Sequence, residues 1–209
     1  MEKAGVNLAV AKNAEMSRNK TVLIGMWVLS VVLAAAYLLE LVKGTRTLGS
    51  YLLFLALCVV PVIVGQVIYL GKKDAMPVRY ITGLGFSVLY AYVMFTTTTD
   101  LSFCYIVVAF TLFVVYVDFK LLAILGACAL VVNIARVIIM AVQGTLVGTV
   151  LTNAEIIIAC IILTFVFTLM STSKMAKINK ANIDKADSEK EQAYITLPAY
   201  SNAIPQVSS

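Results

Sequence analysis

The chain has 209 residues, of which 61% are hydrophobic and only 13% are charged, and its mean hydropathy is +0.96. Soluble domains carry about 25% charged residues, so this composition excludes an ordinary soluble domain and predicts a membrane protein. The net charge of +5 does not indicate nucleic acid binding, because the basic residues are sorted by side of the membrane. The sequence contains no histidine, which removes the commonest general base and the commonest metal ligand.

Residues 1–20 form a mostly polar, basic segment ahead of the first apolar stretch. Weakly apolar positions recur among Lys, Asn and Glu, which predicts either a short amphipathic helix on the inner leaflet or a solvated basic flank. No small-residue cleavage site is present, so the first apolar stretch is predicted to be a retained helix and not a signal peptide.

Residues 21–171 contain six apolar segments separated by short polar breaks. A helix of about 20 apolar residues crosses a hydrocarbon core of about 30 Å, and backbone polar groups in lipid must be satisfied internally. The predicted fold class is therefore all-α, a polytopic membrane protein with six transmembrane helices. The fourth and sixth segments are near the lower length limit. In chain order the segments are 21–42, 49–70, 79–97, 101–117, 119–141 and 154–171.

The Lys and Arg residues lie mainly on one side of this predicted topology. With the N-terminus inside, 13 of the 16 fall in inner segments, whereas Lys43 and Arg46 fall in an outer turn and Arg136 lies within a span. The positive-inside rule therefore predicts that both termini are cytoplasmic.

The sixth segment continues into a charged stretch, residues 172–192, without an intervening Gly or Pro. Its alternating charges favour an exposed helix, so we predict a rigid helical connection from the membrane into the cytoplasm. Residues 193–209 contain Pro198 and Pro205 and show no helical or strand periodicity. They are predicted to be a disordered tail.

The sequence carries no catalytic constellation. It has no GxSxG motif, no phosphate-binding glycine loop and no paired carboxylates on a cytoplasmic face. The four cysteines, Cys58, Cys104, Cys128 and Cys160, lie inside the predicted spans without metal-ligand spacing. The sequence therefore predicts neither an enzyme nor a metal site, and no cofactor.

Polar and ionisable residues are concentrated in the outer third of the predicted bundle. They are Glu40, Thr97, Thr98, Asp100, Asn133, Arg136 and Glu155. Ionisable residues within spans are costly, and they usually face the bundle interior in pairs. We hypothesise an outward-facing polar pocket in which Arg136 binds an anionic ligand, with Asn133 on the same helix face. The inner halves of the spans are expected to hold no comparable acid–base group.

Arg136 also has two structural interpretations. It forms an ion pair with Glu155 or Glu40, or it extends to the outer headgroups so that its charge stays solvated. Because an intramembrane charge only suggests function, the pocket and the structural roles both stay open at this point.

Three stretches of the sequence resemble one family: residues 7–17 (NLAVAKNAEMS), 39–49 (LELVKGTRTLG) and 95–98 (FTTT). The exit at residues 177–179 (KIN) fits as well. Over about residues 1–192, the chain resembles the six-span N-terminal sensory region of methyl-accepting chemotaxis proteins from Gram-positive bacteria. The resemblance implies a homodimeric receptor in the cytoplasmic membrane of a bacterium. In such a receptor a small molecule or physical stimulus at the outer face shifts helix packing, and the signal leaves through the sixth helix.

The chain departs from that family after residue 192. A chemotaxis receptor continues into a coiled-coil hairpin that binds an adaptor and a kinase, and this sequence does not contain that binding region. We therefore expect a sensory region truncated before its output domain. The alternative is a small six-helix transporter or channel, which should carry polar or broken-helix features near the midplane.

Overall fold

The computed structural model describes the backbone of residues 2–97 and 99–203, and the side chains of residues 10–97, 99–189 and 192. Within these ranges the ordered elements are all helical, and no strand occurs. Two short 3₁₀ turns, Asp100–Phe103 and Val114–Tyr116, flank the fourth helix. The α-helices are α1 Glu2–Val42, α2 Leu48–Gly71, α3 Pro77–Thr96, α4 Cys104–Phe113, α5 Phe119–Val142 and α6 Thr149–Ala203.

Five of the described helices are long and apolar enough to cross a membrane. Large apolar side chains such as Val31, Val67 and Val131 are exposed along them, each with more than 60% of its surface accessible. A continuous apolar exterior of this kind is not expected of a protein that folds in water. The prediction of an all-helical protein suited to a membrane is confirmed at this level. The candidate spans are Val10–Val42, Leu48–Gly71, Pro77–Thr96, Phe119–Val142 and Thr149–Glu189.

The helix boundaries follow local sequence signals. The hydroxyl of Thr47 accepts a hydrogen bond from the backbone N–H of Ser50 at the start of α2, and Pro77 occupies the first position of α3, where its missing N–H costs nothing. Asp118 caps α5 by accepting from the N–H groups of Lys120 and Leu121. These caps explain why the observed helices begin within a few residues of the predicted apolar segments.

The fourth predicted segment, 101–117, differs most from its prediction. Only Cys104–Phe113 is α-helical, and the whole stretch Asp100–Tyr116 is too short to be counted with the five long helices. The stretch consists of ten α-helical residues between 3₁₀ turns of four and three residues. The rise per residue is about 1.5 Å in an α-helix and about 2.0 Å in a 3₁₀ turn, so the stretch extends about 29 Å. Val117 ends it with a left-handed backbone (φ 53°).

The helix α3 is central, because it packs against α1, α2, α4 and α5, while α6 packs mainly against α5 and α4. The buried core along α3 includes Phe86 and Tyr90. Close approach depends on glycines at two contacts. A Cβ atom on Gly126 of α5 would collide with the ring of Phe165 on α6, and one on Gly85 of α3 would collide with Pro61 of α2.

Both terminal segments differ from their predictions. Residues 2–20 are the first half of α1, and Asn19 is fully buried, so the segment from about Glu15 onwards is neither a surface helix nor a solvated flank. At the other terminus α6 continues to Ala203, so residues 193–203 are helical where a disordered tail was predicted. Residues 204–209 of that predicted tail lie outside the described residues.

The bundle has two distinct ends. The helices α1, α3 and α5 finish at one end, which we call the Arg136 end, and α2, α4 and α6 begin there. The opposite end, where α3 and α5 begin, is called the Arg79 end. Paired polar side chains occur at both ends.

Candidate functional site

Asp100 connects three segments at the Arg136 end. Its Oδ1 atom accepts a hydrogen bond from Nη2 of Arg136 on α5 at 3.1 Å, and its Oδ2 atom accepts one from Nδ2 of Asn153 on α6 at 2.9 Å. The Asp100 side chain is 37% exposed, whereas that of Arg136 is 15% exposed. We call Asp100, Arg136 and Asn153 the Asp100 clasp, since a single carboxylate joins the turn before α4 to both α5 and α6.

The threonine run after α3 positions Asp100. The Thr99 hydroxyl accepts from the N–H of Leu101 and so caps the 3₁₀ turn that begins at Asp100. The Thr97 hydroxyl lies 2.8 Å from the Ser102 hydroxyl and accepts from the N–H of Thr99. Thr97 therefore shapes the turn and does not itself reach Arg136, and the predicted site residue Thr98 lies outside the described residues.

Asn133 is buried one helical turn from Arg136. Its Nδ2 group donates to the hydroxyl of Tyr90 at 2.7 Å and to the carbonyl of Ala129 at 2.8 Å. These two bonds satisfy the amide N–H groups, so Asn133 fastens α5 to α3 beneath the clasp.

A recess lies between α5 and α6 beside the Asp100 clasp. Its volume is about 10 Å³, which is room for about one water molecule. Small-molecule pockets are typically about 300 Å³ or larger, so the site is closed in this structure. The lining residues are Asp100, Asn133, Arg136, Val137, Met140, Val150, Ala154, Ile157 and Ile158.

The ion pair predicted as an alternative role for Arg136 does form, but its partner is Asp100. Glu40 is instead paired with Arg46 across the turn between α1 and α2, and Glu155 lies on an exposed face of α6. The structure therefore brings Asp100, Asn133 and Arg136 together and separates Glu40 and Glu155 from them.

Arg46 anchors the turn between α1 and α2 to Glu40 near the end of α1. Its guanidinium lies 4.5 Å from the centroid of the Tyr37 ring, which in turn stacks on Phe54 at 3.6 Å. Burial lowers the pKa of Arg46, but Glu40, Tyr37 and Tyr92 together more than offset this and hold the pKa above its ordinary value. Arg46 is therefore a charged structural anchor whose Nε group is paired with Glu40 within the protein.

A second polar cluster at the Arg79 end was not predicted. Arg79 of α3 lies 3.0 Å from the Asp118 carboxylate and 3.8 Å from that of Glu15. The Tyr80 hydroxyl donates to Asp118 at 3.2 Å. These three charged side chains are only 11–14% exposed, so this end of the bundle also holds a charged cluster, which the sequence did not predict.

Asn19 completes the cluster at the Arg79 end. Its Nδ2 group donates to the carbonyls of Lys73 and Ala75, and its Oδ1 atom accepts from the Tyr116 hydroxyl. One sequence signal pointed here: Glu15 and Asn19 are four residues apart and continue the helix face of the buried Val22 and Met26. We call this cluster the Arg79 network; its members are Glu15, Asn19, Arg79, Tyr80, Tyr116 and Asp118.

The described residues contain no group of three or more Cys, Asp or Glu side chains that could hold a metal ion. All four cysteines are free thiols. No protein-family model, curated protein or solved structure matched the chain. Function is therefore inferred from the two clusters and from the arrangement of the helices.

Proposed function

We propose that this chain is the transmembrane sensory region of a signal-transducing receptor, of the kind that the sequence resembles in chemotaxis receptors. The observation that carries the proposal is α6, one helix of 55 residues. At about 1.5 Å per residue it is about 82 Å long, far more than a hydrocarbon core of about 30 Å requires. All side chains from 173 to 189 are exposed, so α6 extends well past the bundle.

The proposed topology has six crossings, with both termini in the cytoplasm of a bacterium and the Arg136 end outside. The extent of Asp100–Tyr116, about 29 Å with its 3₁₀ turns, supports a crossing by the fourth segment. Thirteen of the 16 basic residues then lie on the cytoplasmic side, as the positive-inside rule favours.

Signal transmission in this proposal starts at the Asp100 clasp. Asn153 is in the first turns of α6, so a stimulus that moves Asp100 changes how the outer end of α6 is held. The helix contains no Gly or Pro from residue 149 to residue 197, and a helix without such breaks transmits a shift or rotation along its length. The homodimer of the resembled family belongs to the same proposal.

A fusion protein tests whether the bundle controls α6. Residues 1–192 are joined in helical phase to the cytoplasmic hairpin of a chemotaxis receptor, and kinase activity is measured in cells lacking other receptors. Gly126→Ala places a Cβ against Phe165 and pushes α6 away from α5, whereas Gly49→Ala meets nothing within 4 Å. We expect the first variant to change kinase activity at least threefold and the second to leave it unchanged.

Equal kinase activity in the two variants, at equal membrane abundance, would contradict the receptor proposal. The alternative function, a small transporter or channel, has a separate readout. Proteoliposomes containing the full chain are exposed to small organic solutes, and swelling or uptake above empty liposomes would favour transport. The receptor proposal expects no uptake.

A further inference from the structure

We propose that Asp100 is a built-in occupant of a carboxylate-binding site, and that the external ligand is a small monocarboxylate with a short apolar tail. The ligand displaces Asp100 from Arg136 and thereby frees the outer end of α6. This inference rests on the proposed receptor function and names the ligand class of the same site.

The first support is the chemistry of the clasp. Arginine binds carboxylates with a planar fork that can donate two parallel hydrogen bonds. Asp100 takes one hydrogen bond from that fork, through Nη2, and directs its second oxygen to Asn153. A free carboxylate that meets Arg136 with both oxygens would make the stronger contact, so it can compete with the internal one.

The second support is the difference in burial and secondary structure between the partners. Arg136 is on the long helix α5, and its side chain is 15% exposed. Asp100 begins a four-residue 3₁₀ turn after the non-helical residues Thr97 and Thr99, and its side chain is 37% exposed. An exchange of carboxylates therefore moves Asp100 towards solvent and leaves Arg136 in place.

The third support is the lining of the recess. Next to the Arg136 charge, the walls are apolar and are supplied by both α5 and α6. Such walls suit a hydrocarbon tail and do not suit a polyanion such as phosphate, whose remaining oxygens would lose hydration without a partner. The recess of about 10 Å³ has room for about one water molecule, so a tail of a few carbon atoms needs the space that the Asp100 side chain vacates. The apolar walls are Val137, Met140, Val150, Ala154, Ile157 and Ile158.

The consequence for α6 follows from the second oxygen of Asp100. When the carboxylate leaves Arg136, its hydrogen bond to Asn153 is lost as well, so the turn before α4 no longer holds α6. Binding of a ligand to one side chain on α5 thus changes how the start of α6 is held.

The decisive experiment measures butyrate binding to the full-length protein in lipid nanodiscs, by ¹³C NMR of labelled butyrate. Butyramide, which has the same shape without the charge, is the ligand control, and inorganic phosphate is the competitor. Asp100→Asn keeps the volume of the side chain but removes the competing charge. Because a partly exposed ion pair is weak, we expect this variant to bind butyrate about fivefold more tightly.

Asp74→Asn is the matched control, since Asp74 lies in the turn between α2 and α3 at the Arg79 end, and it should leave butyrate affinity unchanged. Arg136→Gln should abolish binding, and Arg136→Lys, which keeps the charge, should restore part of it. Equal binding of butyrate and butyramide, displacement of butyrate by phosphate, or unchanged affinity in Asp100→Asn would each overturn the proposal.

The two proposals fail separately. The Gly126→Ala fusion measures coupling without any ligand, and the nanodisc titration measures binding without any output. If the fusion responds and butyrate does not bind, the receptor proposal stands and the monocarboxylate is rejected. If butyrate binds as expected and the fusion does not respond, the site is real but it does not signal through α6.

Discussion

At the scale of single residues, Asn19 shows how one amide holds three segments together. It is fully buried on α1, and its hydrogen bonds reach the turn between α2 and α3 and the 3₁₀ turn after α4. Each polar group that loses its partner in a buried place costs about 1–3 kcal/mol. Asn19 therefore contributes more to the stability of the Arg79 end than an uncharged side chain would suggest.

We predict that Asn19→Leu lowers the free energy of unfolding by about 3 kcal/mol or more, because the Lys73 and Ala75 carbonyls and the Tyr116 hydroxyl lose their partner. The measurement is the thermal unfolding midpoint in detergent micelles. Asn13→Leu, at an exposed position on the same helix, is the control. If both variants unfold at the wild-type temperature, the hydrogen bonds of Asn19 carry no net stability.

The sequence suggested Arg136 and Asn133 as candidate site residues but predicted the wrong partner for Arg136. Burial cost made an ion pair expected, and Glu155 or Glu40 was predicted, because the sequence does not show that the fold brings Asp100 to Arg136. The Arg79 network was missed for a related reason. Glu15 and Asn19 stand in a polar segment, and composition does not distinguish a polar residue packed inside from one in water.

At the scale of elements, hydropathy predicted most helix boundaries closely, because lipid demands long apolar runs. The segments 49–70 and 119–141 became Leu48–Gly71 and Phe119–Val142. Hydropathy predicted Asp100–Tyr116 less well, because this stretch is close to the minimum length of a membrane-spanning helix. The choice between α-helix and 3₁₀ turn there depends on packing and not on hydrophobicity. Val117 closes that segment with φ 53°, a conformation that β-branched residues rarely adopt.

We predict that Val117→Gly raises the free energy of unfolding by about 0.5–1 kcal/mol, because glycine removes the left-handed strain of about 1–2 kcal/mol at a smaller cost in chain entropy. Val115→Gly, inside the 3₁₀ turn Val114–Tyr116, should instead destabilise the protein. The two thermal midpoints should therefore move in opposite directions relative to wild type. A fall in both would show that Val117 contributes more through packing than it costs in strain.

At the scale of the whole molecule, the two polar clusters lie at opposite ends of the bundle and differ in burial. The Asp100 clasp ties α5 and α6 together through one partly exposed carboxylate, whereas the Arg79 network joins α1, α3 and α5 through side chains that are mostly buried. Under the receptor proposal, the more exposed Asp100 clasp is the end that responds to a stimulus, and the more buried Arg79 network is the end that stays fixed.

The sidedness of this arrangement depends on whether Asp100–Tyr116 crosses the membrane. The four native cysteines are first replaced by serine. Leu101→Cys and Lys120→Cys then place single thiols at exposed positions near the two ends of that segment. We predict that a membrane-impermeant maleimide labels intact cells at residue 101, and at residue 120 only after permeabilisation. Labelling of residue 120 in intact cells would mean that the segment does not cross. The charged part of α6 would then emerge outside, where a cytoplasmic output domain could not receive its movement.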